Sequence, residues 1–113
     1  VMDFTALEAG VGRLAAWLAV QVPARGARVA SWTAKSRLAC LLPLAAARAG
    51  LVHVPINPLL KGAQADHILD NSGAALLLTN APRAATLTLR PSCAVIDLAT
   101  AETAIDDFGE ILS

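Results

Sequence analysis

Apolar residues recur at helical spacing near the start of the chain. Four of them are separated by three or four positions and line one face of a helix: Leu7, Val11, Leu14 and Leu18. Thr5 and Glu8 have the T-x-x-E spacing of a capping box, in which each side chain accepts a hydrogen bond from a backbone N–H of the first turn. The pattern therefore predicts a helix from about Ala6 to Gln21, followed by a turn at Pro23 and Gly26.

Short runs of apolar, partly β-branched residues follow and predict strands. The predicted strands are Arg28–Trp32, Leu51–Ile56, Ala74–Thr79 and Ala94–Leu98. Leu51–Ile56 is apolar apart from His53, which is typical of a parallel strand that is buried on both faces. We therefore expect packing on both sides of this strand.

Helical spacing returns between the strands and after them. The predicted helices are Ser36–Ala49, Lys61–Ser72 and Ile105–Leu112. Pro43 lacks a backbone N–H and clashes with the carbonyl four residues earlier, so its helix is expected to kink near Ala39 or to begin afresh near Leu42. Gly50 is placed just after this helix, where a left-handed conformation favours glycine. The segment Asn80–Ser92 has the least organised pattern, and we expect it to be mobile.

Strands that alternate with helical stretches imply right-handed βαβ crossovers. The prediction is an α/β fold, with a mainly parallel sheet of about four strands and crossover helices, formed by residues 1–113 as a single subdomain. Ala47–Leu60 is the return from a crossover helix to a strand, followed by a loop that leaves the strand at its carboxyl end. Open α/β sheets bind ligands at this edge.

The charge of the chain changes this picture little, but its hydrophobicity does. The formal net charge is zero and the pI is near 6.9, so the sequence gives no electrostatic footprint for nucleic acid or anionic lipid. Hydrophobic residues make up 56% of the chain and charged residues 16%, against about 25% charged in ordinary domains. This shortage of charge predicts apolar surface that something else covers, either the rest of a larger protein or a second copy of the chain.

A membrane span and a disulfide are both disfavoured. The longest apolar window, Leu38–Leu60, contains Arg48 and His53, and a charge at the centre of a bilayer costs a few kcal/mol. The N-terminus lacks the order of basic, apolar and small residues of a secretory signal. Cys40 and Cys93 match neither a CxxC nor a zinc-ligand spacing. We interpret them as reduced thiols of a cytoplasmic protein.

Candidate chemical residues are few, and each has an ordinary structural explanation. No G-x-G-x-x-G, Walker or G-x-S-x-G motif is present in the sequence. His67 and Asp70 share a helical face beside Asp66, which is half a metal site at most, and a solvated polar face is the favoured interpretation. His53 is interpreted as a hydrogen-bonded core or interface histidine rather than as a general base.

The remaining candidates are also interpreted as structural. Arg48 near the end of its helix suits the helix dipole. Trp17 and Trp32 are interpreted as packing residues rather than as stacking platforms. We therefore assign no catalytic, cofactor-binding or metal-binding residue to this chain.

The order of several segments resembles a known family. FTALEAGVGRLAAWLA, RVASW, LPLAAARAGLVHVPINPLL and ADHILDNSGAALLLT follow one another, covering about Phe4 to Thr79. Together they resemble the N-terminal subdomain of AMP-forming acyl-CoA synthetases and related adenylating enzymes. The segment INPLLK, followed by HIL, is similar to the corresponding segments of ligases associated with exosortase gene clusters. The resemblance implies that the α/β subdomain belongs to a larger N-terminal domain.

The resemblance also implies an activity and its requirements. Such enzymes use ATP and magnesium to convert a carboxylic or fatty acid into an acyl-adenylate, and a thiol, usually coenzyme A, then displaces AMP. Their Ser/Thr/Gly-rich loop ending in Pro-Lys-Gly, acyl-adenylate segment, ribose-binding Asp and C-terminal Lys have no counterpart in this sequence. The resemblance therefore implies a scaffold that is trimmed at both ends, inactive alone, and partnered by the remainder of its own enzyme.

Two alternatives remain open. The chain is also compatible with a self-contained, non-catalytic binding or interaction module of flavodoxin-like type. The adenylation domain of a peptide synthetase has similar opening motifs. The sequence names neither the acyl substrate nor the thiol acceptor.

Overall fold

The computed structural model describes residues 4–87 and 93–112, and within them helices alternate with strands. The elements are α1 (Phe4–Gln21), β1 (Arg28–Trp32), α2 (Arg37–Arg48), β2 (Val52–Ile56), α3 (Gly62–Ser72), β3 (Leu76–Thr79), α4 (Ala81–Ala84), β4 (Ala94–Asp97) and α5 (Leu98–Leu112). No helix in the described part of the chain is long and apolar enough to cross a membrane.

The four strands form one parallel sheet with the order β2-β1-β3-β4. β1 lies between β2 and β3, with Ala30 opposite Val54 on one side and opposite Leu77 on the other. β4 pairs with the outer side of β3. The prediction of an α/β fold with a mainly parallel sheet of about four strands is confirmed.

The two faces of the sheet are covered unequally. On the first face, α1, α2 and α5 enclose the larger core, which includes Leu14, Leu42 and Leu78. The second face is covered mainly by α3, and the smaller core there includes Trp32 and Leu77. Adjacent residues of a strand point to opposite faces, so the apolar run of β3 supplies both cores. All four residues of β3 are buried, as expected of an inner strand of a parallel sheet.

Gly10 of α1 lies close to two other helices. A Cβ added at Gly10 would lie 3.2 Å from Cδ1 of Leu41 in α2 and 3.5 Å from Cγ2 of Ile105 in α5. A side chain there would require only a small shift of the end of Leu41. The predicted apolar stripe of α1 is confirmed, but the helix is already formed at Phe4, the first described residue, and Thr5 lies inside it. The predicted capping box at Thr5 is wrong, because a residue inside the helix is not its N-cap.

The helix that follows β1 is well specified at both ends. The side chain of Ser36 accepts from the backbone N–H of Ala39 and caps the start of α2. At the other end, Gly50 has a φ of 78°, and the N–H of Leu51 donates to the carbonyl of Ala46. These are the features of a Schellman motif, as the position of Gly50 predicts. α2 runs through Pro43, so the predicted restart near Leu42 is wrong, and a kink near Ala39 stays a prediction.

β2 is an edge strand, contrary to the prediction that it is buried on both faces. Only Ile56 is buried, and Val52 remains 48% exposed. The N–H of Val52 donates to the carbonyl of Ala27, so alternate residues of β2 direct their backbone groups towards β1, whereas His53 and Pro55 direct theirs outward. Proline is tolerated at Pro55 because the hydrogen bond that it lacks belongs to the free edge.

The end of the chain is more helical than its sequence predicts. β4 stops at Asp97, and α5 begins at Leu98, seven residues before the predicted start at Ile105. The Oδ1 of Asp97 accepts from the N–H of Ala99 and satisfies a backbone donor of the first turn. Ala101 and Ala104 are buried in the larger core together with Ile105, at helical spacing from it.

The segment expected to be least organised contains a short helix. The Oδ1 of Asn80 accepts from the N–H of Arg83, 2.9 Å away, and caps α4. Pro82 lies in the first turn, where its missing N–H costs nothing. Residues 81–84 thus have regular structure, the expected mobility of the segment stays a prediction, and residues 88–92 lie outside the described part.

Candidate functional site

A crevice lies at the carboxyl edge of the sheet. The crossover after β1 leads towards β2, whereas the chain after β3 continues to β4 on the opposite side, so the strand order reverses between β1 and β3. Ligands of open α/β sheets bind at such a reversal. The carboxyl-edge crevice has a volume of about 570 Å³. Its lining residues are Trp32, Pro58, Leu60, Lys61, Gly62, Asn80, Pro82, Arg83 and Thr86.

The apolar part of the lining surrounds a buried indole. Trp32, the last residue of β1, is 2% exposed, and its packing in the second core confirms its predicted structural role. Its Nε1 has no hydrogen-bond partner among the described residues. A buried indole N–H usually donates a hydrogen bond. The side chain of Trp32 lines the crevice, but its N–H is itself buried.

The polar part of the lining is cationic. Lys61 precedes α3 and Arg83 lies in α4, and within the described ranges neither side chain forms an ion pair. No Asp or Glu is among the lining residues. A chain with no net charge thus has an excess of positive charge at this edge of its sheet.

Two lining residues of the crevice approach each other through their backbones. A Cβ added at Gly62 would lie 2.0 Å from the carbonyl oxygen of Thr86, so only glycine permits this approach. Thr86 also donates from its Oγ1 to the carbonyl of Arg83, 2.7 Å away. Gly62 and Thr86 therefore hold the segment after β3 against the start of α3.

His53 makes the hydrogen bond expected of a structural histidine. Its Nε2 lies 2.8 Å from the Oγ of Ser31 on the neighbouring strand. His53 is half-buried, and burial lowers its pKa below the ordinary value of 6.5 because the protein interior disfavours the charged form. Ser31 and Trp32 point to opposite faces of the sheet, so the Ser31–His53 pair is not part of the crevice.

The predicted polar residues of α3 lie on different faces of the helix, some exposed and one buried. His67 and Asp70 are exposed, as expected, and Nε2 of His67 lies 3.0 Å from Nδ2 of Asn71. Asp66 is only 4% exposed, so the interpretation as a solvated face is wrong for this residue. Asp66 follows Gly62 by four positions and precedes Leu69 by three, which places it on the helix face that packs inward.

The other candidate residues have structural positions. Arg48 forms an ion pair with Glu8 of α1, with 3.2 Å between its guanidinium nitrogen and the carboxylate oxygen. Trp17 is buried in the larger core, as predicted. Cys40 is an exposed free thiol, and Cys93 is a half-buried free thiol whose pKa is raised by burial.

The residues present fit neither a magnesium site nor a nucleotide site. No group of three His, Cys, Asp or Glu side chains within residues 4–87 and 93–112 could hold a metal ion. The connections that leave β1, β2 and β3 contain no glycine-rich phosphate loop. We therefore derive no catalytic step from this chain.

Sequence reasoning missed the residues of the crevice, although their positions carry a signal. Lys61 and Arg83 each follow closely on the carboxyl end of a strand, β2 and β3 respectively. Parallel strands place their carboxyl ends at one edge. Because the pairing of β1 with β3 is not apparent from the sequence, these residues could not be assigned to one crevice.

Comparison with known proteins links the chain to adenylating enzymes. The model of the family described as AMP-binding enzyme matches residues 2–110. The structure is similar to a fatty acyl CoA synthetase from Mycobacterium tuberculosis, with 27% identity and a TM-score of 0.84, over 95% of this chain and 23% of that chain. Among curated proteins there is no match.

Two further structures are similar in fold. ATP-bound MatB from Rhodopseudomonas palustris has 24% identity and a TM-score of 0.77, over 90% of this chain and 22% of that chain. The artificially fused adenylation–PCP di-domain NRPS NpsA-ThdA from Klebsiella oxytoca has 22% identity and a TM-score of 0.76, over 88% and 18% of the respective chains. The chain thus spans less than a quarter of each of these structures.

Proposed function

Because the chain belongs to the AMP-binding enzyme family, we propose that it is the N-terminal scaffold portion of an AMP-forming acyl-CoA ligase. The observation that carries this proposal is the family match over residues 2–110. The similarity to a fatty acyl CoA synthetase at 27% identity favours an acyl-CoA ligase over other adenylating enzymes. Enzymes of this family use ATP, and one of the similar structures has ATP bound.

The proposed reaction of the whole enzyme has two steps. A carboxylic acid, in this proposal a fatty acid, reacts with ATP to give an acyl-adenylate and pyrophosphate, and coenzyme A then displaces AMP. The developing charge on phosphate is the main demand of such a reaction, and we propose that magnesium contributes to its stabilisation. The residues that perform these steps are proposed to lie in the remainder of the enzyme.

This chain supplies a rigid α/β layer in the proposal. Residues 1–113 are taken as one subdomain, whose partner is the rest of the same polypeptide. The sparsely covered second face of the sheet, with exposed Val52 and Val95 on either side of α3, supports the idea of a further covering layer. The proposal places the enzyme in the cytoplasm and in fatty acid metabolism.

The test uses the full-length product of the gene. We expect exchange of labelled pyrophosphate into ATP that depends on a fatty acid, and formation of an acyl-CoA thioester when coenzyme A is added. A matched assay with amino acids in place of fatty acids distinguishes an acyl-CoA ligase from a peptide synthetase. The peptide-synthetase alternative is retained because the Klebsiella oxytoca protein has a similar fold. Exchange with amino acids alone would overturn the acyl-CoA ligase proposal.

The strand order is also compatible with the alternative of a flavodoxin-like binding module. The order β2-β1-β3-β4 equals the first four positions of the flavodoxin-like sheet. The fold therefore does not separate the two functions, whereas the family match supports the ligase. Binding of flavin mononucleotide by the full-length product, without any exchange activity, would favour the binding module.

A further inference from the structure

The carboxyl-edge crevice combines positive charge with an apolar lining. Lys61 and Arg83 are both at the crevice, and neither forms an ion pair within the described residues. No Asp or Glu in this part of the chain lines the crevice to neutralise them. The crevice is therefore a place where positive charge is left uncompensated.

Hydrogen-bond donors in the crevice outnumber acceptors. The Oδ1 of Asn80 is already used by the N–H of Arg83, which leaves the amide nitrogen of Asn80 as a donor. The Oγ1 of Thr86 gives its proton to the carbonyl of Arg83. An occupant that supplies negatively charged acceptors would satisfy this set of donors.

The rest of the lining sets the shape and polarity of the occupant. Pro58, Leu60 and Pro82 contribute apolar surface beside the cations. The volume of about 570 Å³ falls within the usual range for sites that bind small molecules. A bare inorganic anion would leave most of this apolar surface uncovered.

From these observations we infer that the carboxyl-edge crevice binds a small organic anion with an apolar body, its anionic group held by Lys61 and Arg83. The apolar body lies against the two prolines and the leucine of the lining, Pro58, Pro82 and Leu60. This inference uses only the described residues and does not rest on the proposed ligase activity. An enzyme without acyl-CoA ligase activity could have the same site.

Phenyl phosphate and benzoate are suitable probes, with benzamide as the uncharged match for benzoate and inorganic phosphate as the anion without an apolar body. They are titrated into the ¹⁵N-labelled 113-residue chain and followed by ¹H–¹⁵N correlation spectra. The indole N–H of Trp32 reports on the crevice, and that of Trp17, in the core on the other face, is the internal control. Replacing Trp17 with Phe assigns the two indole signals.

We expect both organic anions to shift the Trp32 indole signal and the backbone amide of Gly62 saturably, while Trp17 stays in place. The anions should bind at least about tenfold more tightly than benzamide, as loss of charge-assisted hydrogen bonds implies. Inorganic phosphate should bind more weakly than phenyl phosphate. Equal responses to benzoate and benzamide, or no response to any probe at millimolar concentration, would overturn the inference.

Charge variants test the assignment of the cations. Lys61→Gln and Arg83→Gln together should weaken phenyl phosphate binding by about tenfold or more. Arg25→Gln is the control. It removes one positive charge, where the double variant removes two, from the turn before β1 at the amino edge of the sheet, and it should leave the affinity unchanged. The dispersion of each spectrum checks that the variant is folded. Unaltered affinity in the folded double variant would reject the site.

Discussion

The imidazole of His53 and the hydroxyl of Ser31 are joined by a hydrogen bond of 2.8 Å that links β2 to β1. His53 is half-buried, and burial lowers its pKa below 6.5. A lowered pKa in the folded state means that the unfolded chain binds a proton more readily at this residue. Burial of neutral His53 is therefore fully tolerated above pH 6.5, and stability is lost as the pH falls through the pKa of the folded state.

The first prediction concerns this pH dependence. The free energy of unfolding, measured with urea, should decrease between pH 7.5 and pH 5.5, because protonation of His53 favours the unfolded chain. His53→Asn should flatten that decrease. His67→Gln, which alters an exposed histidine of α3, is the control and should leave the slope of the wild-type chain. A slope that is unchanged in His53→Asn would contradict the assignment.

The second prediction concerns the start of α2. One carboxylate oxygen of Glu102 accepts from the guanidinium of Arg37 at 2.7 Å, and the other accepts from the backbone N–H of Leu38 at 3.2 Å. Glu102→Ala removes a partly exposed ion pair. It also removes the hydrogen-bond acceptor of a backbone N–H in the first turn of α2. The variant should therefore lower the free energy of unfolding by about 1 kcal/mol.

Glu8 provides the matched control for this prediction. It pairs with Arg48 at the other end of α2, and both side chains are about half exposed. Glu8→Ala should therefore cost less than about 0.5 kcal/mol. If the two variants are destabilised equally in urea denaturation, the capping role of Glu102 is wrong.

The third prediction uses two glycines with opposite surroundings. Gly62→Ala places a Cβ 2.0 Å from the carbonyl oxygen of Thr86 and should cost more than about 2 kcal/mol, because backbone must move. Gly12→Ala in α1 meets only the flexible end of Arg48 at 3.3 Å and should stabilise the fold by about 0.5–1 kcal/mol. Thermal unfolding of both variants shows whether each substitution raises or lowers stability. If both change stability in the same direction, the close approach at Gly62 is refuted.

The fourth prediction concerns association of the chain by itself. Val52 is 48% exposed and Val95 is 42% exposed, and the strand register places both on the second face of the sheet. We expect the isolated chain to self-associate through this face, as measured by light scattering after size-exclusion chromatography. Val52→Lys with Val95→Lys should give a monomer, whereas Val20→Lys on α1 should not. A wild-type monomer at high concentration would contradict the expectation.

The elements with strong periodic or capping signals could be predicted from the sequence. The buried stripe of α1, the left-handed Gly50 and the buried β3 follow from spacing, conformation and continuous hydrophobicity. The edge position of β2 also had a signal, because Pro55 lacks the N–H that an inner strand requires. The apolar run alone, considered without Pro55, predicts a strand buried on both faces, whereas β2 lies at the edge.

Other features depend on tertiary contacts that no local pattern contains. The early start of α5 depends on the packing of Leu98 and Ala101 into the larger core, whereas the sequence predicts that Leu98 ends β4. The crevice is lined by both Lys61 and Arg83, which are 22 positions apart in the sequence, at the edge where β1 and β3 adjoin. Strand order is a property of the whole sheet, so this site could not be predicted from its residues alone.

We propose that this chain is the scaffold of an adenylating enzyme whose catalytic residues lie elsewhere. The most direct test is exchange of labelled pyrophosphate into ATP, in the presence of fatty acids, by the full-length gene product and by residues 1–113 alone. We expect exchange by the full-length product and none by the isolated chain. Exchange catalysed by the isolated chain, or none by the full-length product with any carboxylic acid, would contradict it.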